Sequence, residues 1–186
     1  MNSVFKISHA WESRPKPLPF TPQDYVDANP VFLGLEHFLA GNTGQFSLQI
    51  GDVYLALDLR PDLSTVFERV PAVLHGLLEK DSREELYFYE QGSDLKLLLH
   101  NDGSSVHVRF ESGTSASPEF RELSGKEAVV PLAAFMMEWI RFARLVLQAI
   151  TALEPALSQE ADYQRYNERL RAVESRVPGY GTSVKH

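Results

Sequence analysis

His100 and His107 lie seven residues apart on either side of Asn101-Asp102-Gly103-Ser104, and they are the side chains of this sequence best suited to chemistry. Imidazole titrates near neutrality and ligates metals, so two rings on one surface could relay a proton or share an ion. Asp-Gly between apolar runs predicts a two-residue type I′ loop. With Asp102-Gly103 as that loop, His100 faces Ser105, Leu98 faces His107 and Lys96 faces Arg109, which sets the two histidines diagonally on one face. A third metal ligand is missing, because Asp94 and Glu111 fall at the far end of that face. Ser105 opposite His100 suggests a nucleophile and a base. No carboxylate is placed to orient the ring, however, and no strand-to-helix nucleophile elbow occurs.

The elements that must position these residues read as strands. From 84 to 111 apolar residues alternate with polar ones, and a second tight loop at Gly92-Ser93 places Leu86 opposite Leu99 and Phe88 opposite Leu97. Leu86, Phe88, Leu97, Val106, Val108 and Phe110 then face a core. Tyr87, Tyr89, Lys96, Leu98, His100, His107 and Arg109 share the opposite side. A further hairpin over 45–59, turning at Gly51-Asp52, buries Phe46, Leu48, Ile50, Val53, Leu55 and Leu57 and turns Gln49 and Tyr54 outward. Between the two, Leu63, Val66, Val70, Leu74 and Leu77 recur at helical spacing over 61–80, with a kink expected at Pro71. The economical assembly is α+β: one antiparallel sheet of about five strands with this helix on its apolar face.

The remaining segments extend that picture. A short strand is expected at Val4 to Ser8, and a proline-rich arm over 12–24 favours polyproline II, either as an SH3-type ligand or, more safely, laid over the domain. Asn29 as cap and Pro30 as first helical residue start a short helix that buries Val31, Leu35 and Phe38 and stops near Gly41. Gly113 to Pro118 reads as a flexible loop and Ala128 to Val130 as a last short strand. Two apolar stripes over 131–153 and 159–177 predict a C-terminal antiparallel helical hairpin on the apolar face, and the first of these helices is apolar around most of its circumference. Such a helix is buried on two sides, within the chain or in a homodimer. The tail 178–186 reads as loose.

Length and composition set the outer bounds. A chain of 186 residues fits one domain over 1–186 and buries roughly 70% of its unfolded surface. Cysteine is absent, which removes disulfides, thiolate zinc sites and thiol nucleophiles. No signal peptide or membrane-length apolar run is evident, so a soluble cytoplasmic protein without membrane association is expected. The net charge of −7 argues against nucleic-acid binding and fits a basic partner or simple solubility. His75 and Glu79 are spaced as half of a zinc helix without the full motif, and the glycine clusters match neither phosphate-binding fingerprint, so no cofactor is expected. Glu84, Glu85, Glu90 and Asp94 form a solvated acidic rim.

Gln49, Tyr54, Tyr87, Tyr89, Lys96, His100, His107 and Arg109 remain as a candidate binding surface, mixing the tyrosine and arginine that interfaces favour. Three readings of it stand side by side: an ordinary solvated sheet face, a face covered by the chain's own arm or last helix, and a docking surface. The order of elements over 45–155, with the meander around Asn101-Asp102-Gly103-Ser104 and the Val130-Pro131-Leu132 entry into a helix bearing Trp139, resembles small acidic bacterial α+β proteins of uncharacterised families. Some of those are toxin-immunity proteins. The resemblance implies a non-catalytic module that binds a protein partner, a toxin in the most concrete form. It carries no functional residue across. The alternatives are a small-molecule site or hydrolase using His100 and His107, and a structural homodimer.

Overall fold

The computed structural model describes residues 4–11, 30–40, 44–90 and 92–177. Seven strands form two antiparallel sheets rather than the single five-stranded sheet expected. The first contains β1 (Phe5–Ala10), β2 (Gln45–Ile50) and β3 (Val53–Asp58), in that order. The second contains β4 (Arg83–Phe88), β5 (Leu95–Asn101), β6 (Ser105–Ser112) and β7 (Glu127–Pro131), also in chain order. The sheets are separate because α2 (Leu59–Val66), which follows β3 directly, packs against both β3 and β4.

The expected helix over 61–80 is divided. A 3-10 turn at Phe67–Arg69 separates α2 from α3 (Val70–Gly76), and Pro71 occupies the first turn of α3, where its missing N–H costs nothing. Asp62 begins this region with a buried carboxylate. Its Oδ2 accepts the Asp58 N–H at 2.7 Å, and its Oδ1 accepts the Ser93 hydroxyl, tying α2 to the turn between β4 and β5. Burial pushes the Asp62 carboxyl above the usual carboxylate range.

Helix α1 (Pro30–Ala40) buries Val31, Leu35 and Phe38 as its spacing predicts, while the proposed Asn29 cap lies outside the described residues. The proline-rich arm and the tail 178–186 lie outside them too. Helix α4 (Pro118–Arg121) is a single turn that buries Phe120. Helix α5 (Leu132–Leu153) is buried on two sides inside the chain, where Trp139, Phe142, Ile140 and Leu147 are all at or below 2 % exposure. Met137, at 37 %, is its large outward member. Phe135 meets Phe5 at 4.5 Å between ring centroids, Phe142 stacks on Phe46 at 5.6 Å, and Phe46 reaches Phe88 at 6.5 Å. Both sheets therefore share one core. Gly34 on α1 is required by close packing, since a Cβ there would sit 2.5 Å from Ile150 Cγ2.

Helix α6 (Ala161–Glu174) follows α5, but packs chiefly on α1 and α3 instead of lying on a sheet. Tyr166 donates to the Phe67 carbonyl at 3.0 Å, and Arg144 on α5 grips Glu174 with two bonds of 2.7 and 2.9 Å. Within two turns of Arg144, α5 also meets the outer edge of β1. The Ile7 N–H donates to Glu138 Oε2 at 3.1 Å, and Arg141 Nη2 donates to the Ile7 carbonyl at 2.6 Å. Arg141 and Glu138 are themselves paired at 2.9 Å, so one ion pair satisfies the donor and acceptor that a neighbouring strand would use.

Candidate functional site

The outward face of the four-stranded sheet is an array set by strand register. Arg83, His100, His107 and Val129 lie side by side on β4, β5, β6 and β7 as one row. Glu85, Leu98, Arg109 and Glu127 form the next row, and Tyr87, Lys96 and Glu111 the third. Strands lie about 4.8 Å apart, so neighbours within a row are within side-chain reach. The first two rows line a groove of about 680 Å³ that Arg69 of the 3-10 turn also borders.

The two histidines are direct cross-strand partners, not diagonal ones, with ring centroids 5.8 Å apart. Side chains at the hairpin explain the difference. Asn101 Oδ1 accepts the Gly103 N–H at 2.7 Å, and Asp102 Oδ1 accepts the Ser104 and Ser105 N–H groups at 2.9 and 2.8 Å. Gly103 takes φ 104°, a conformation that suits glycine, and the central pair of the turn becomes Gly103-Ser104. Every pairing shifts by two residues, which leaves each side chain on its expected face. The first loop slips by two as well, setting Leu86 opposite Leu97 and Phe88 opposite Leu95.

The same turn supplies a carboxylate that orients a ring of the histidine pair. Asp102 Oδ2 lies 2.8 Å from His107 Nε2. This hydrogen bond, with those from Ser104 and Ser105, holds the Asp102 carboxyl well below the usual carboxylate range. An ionised Asp102 can only accept, so a neutral His107 donates its proton from Nε2 and carries a free lone pair on Nδ1. Ser105 pairs with Pro131 on β7 and lies beyond the His100–His107 row, so the serine–histidine pair expected across the hairpin does not form. Among the described residues, no three histidine, aspartate or glutamate side chains are grouped to hold a metal ion.

The tyrosine end is held differently. Tyr87 donates its hydroxyl to Asp94 Oδ1 at 2.8 Å, and Lys96 Nζ sits 4.7 Å above the Tyr87 ring. Asp94 Oδ2 accepts the Ser115 hydroxyl at 2.7 Å and N–H at 3.0 Å, and these bonds with that of Tyr87 keep its carboxyl below the ordinary range. Asp94 is thus buried and committed, not part of a solvated rim. The segment expected to be a flexible loop is pinned by it, because the Gly113 N–H also bonds the Asp94 carbonyl at 2.7 Å and Ala116 is buried. Tyr89 packs edge-on against Tyr87 at 5.9 Å and remains 58 % exposed.

Gln49 and Tyr54 do not join these rows. They are partners of one another on the three-stranded sheet, where Tyr54 is 66 % exposed. His75 and Glu79 are not a helical pair either, since α3 ends at Gly76 and Glu79 bonds Arg176 at 3.1 Å. Of the acidic residues, Glu85 faces Arg69 at 3.6 Å. Arg83, Arg69, Glu127, Val129 and the role of Asp102 were missed by sequence reasoning. Extending the alternation one residue beyond each strand would have found Arg83 and Glu127, whereas Arg69 depends on the break ahead of Pro71.

No helix among the described residues is long and apolar enough to cross a membrane. The chain matches no known family, and neither a curated protein nor a solved structure matches it.

Proposed function

We propose that the protein is a non-catalytic binding module that engages a protein partner through the outward face of its four-stranded sheet, in the manner of an immunity protein that occludes a toxin. The observation that supports this most is the array itself. Tyr89, His107, Arg109 and Val129 stand between 43 % and 58 % exposed on a rigid sheet, with the half-buried Leu98 among them. Such aromatic and arginine side chains over a partly apolar floor form the composition that interfaces favour. The fixed rows add specificity, because each polar side chain is presented at a register position that cannot drift. The net charge of −7 favours a basic partner.

Affinity capture from the native cell with wild type and with Tyr89→Ala/Arg109→Glu tests the reading. A stoichiometric protein held by wild type and lost from the variant supports it. Equal retention by both, or no stoichiometric protein, overturns it.

A further inference from the structure

We propose that the histidine end of the groove is a receptor for a small organic anion, with a carboxylate or phosphate head seated on Arg83, His100 and His107. Register places these three on adjacent strands in one row, all lining the same groove. Its volume of about 680 Å³ lies in the range of metabolite-sized sites, roughly 300–1,000 Å³. The Arg83 side chain makes no ion pair or hydrogen bond among the described residues, in a chain with 25 acidic and 18 basic side chains. Its planar guanidinium matches a carboxylate or phosphate edge with two parallel bonds.

The charged groups around the row define what else it accepts. Glu85 lies beside Arg69 at 3.6 Å, and Arg109 beside Glu111 at 3.7 Å, so neither of the flanking pairs competes strongly for the head. Asp102 holds His107 through Nε2, leaving Nδ1 to become a donor on protonation. His100 lies between His107 and Arg83, so an anionic head placed over it is within reach of all three side chains. Leu98 and Val129 offer an apolar floor for the body of the ligand, while Glu127, at the far corner, disfavours a second anionic group there.

The proposal is independent of the protein-partner reading and fails separately from it. The test follows the ring C–H signals of His100 and His107 by NMR during titration with inorganic phosphate, acetate and benzoate, with ionic strength held constant by chloride. At about pH 6 the signals should move saturably, with affinity at least about fivefold tighter than at about pH 8. Phosphate against acetate separates the two head groups, and benzoate should bind more tightly than acetate if Leu98 and Val129 seat an apolar body. Arg83→Gln should weaken binding about tenfold. His100→Asn, read in parallel, should flatten the pH dependence, and Lys6→Gln, on the three-stranded sheet, should behave as wild type. Non-saturating shifts, equal affinity at the two pH values, or unchanged binding in both Arg83→Gln and His100→Asn overturns the proposal.

Discussion

The two sheets are built on the same alternation and bury the same kind of inward residues, yet their outward faces differ in what register brings together. On the three-stranded sheet the outward rows are Lys6–Gln49–Tyr54, Ser8–Ser47–Ala56 and Ala10–Gln45–Asp58. Small polar side chains dominate, and Tyr54 stands alone as a large ring. On the four-stranded sheet each row carries at least one cation, the histidines adjoin an arginine, and the first two rows line one groove. Individual residue types do not separate these faces, since each has tyrosine and charge. Convergence does, and it comes from the number of strands and their pairing.

The inward faces should respond alike, with the largest effects. Leu48→Ala and Leu97→Ala, at the central strands of the two sheets and both fully buried, should each cost about 2–5 kcal/mol in denaturant unfolding. A much smaller loss at either one would break the picture of a shared core. The outward faces should then diverge. Tyr89→Ala/Arg109→Glu should weaken partner binding by about tenfold or more, while Gln49→Ala/Tyr54→Ala changes it less than about twofold, as calorimetry with the purified partner would show. A reversed order would move the binding surface to the other sheet.

Acid sharpens the contrast next. Asp102 and Asp94 have carboxyls depressed in the folded state, so the stability they contribute is present above the ordinary carboxylate range and is lost as pH falls through their folded values. Asp102→Asn should therefore flatten the acid limb of the stability profile followed by circular dichroism, and an unchanged limb would deny the His107 pairing its electrostatic role. The smallest effect belongs to Ser47→Ala on the quiet face, which should stay within about 0.5 kcal/mol of wild type in the same unfolding measurement.

Strand faces were legible in the sequence because parity survives a slip of two. The residues expected inward from Leu86 to Phe110 are buried, although both hairpin registers differ from the expected ones. Register itself was not legible, because Asn101 and Asp102 bind turn N–H groups with their side chains, and the two-residue signal does not record that choice. The division into two sheets was equally hidden. Alternation states which way a side chain points, not which strand lies beside it, and here α2 lies between β3 and β4. For the candidate site, the histidines and tyrosines of the meander were found from their alternation. Arg83, Glu127 and Arg69 were missed because they enter through strand ends and a helix break, where pattern is weakest.

The clip that Glu138 and Arg141 place on Ile7 bears on the order in which the chain can fold. Strand β1 leaves the ribosome before α5, and the groups that bind its outer edge at Ile7 are carried by that helix, whose Glu138 lies 131 residues further on. Until α5 has been synthesised, the first sheet keeps an open edge and an uncovered apolar face, so its closure waits on that helix. Contacts of that sequence separation also make folding slow, and the three-stranded sheet is where a nascent or truncated chain is most exposed to pairing with another copy of itself.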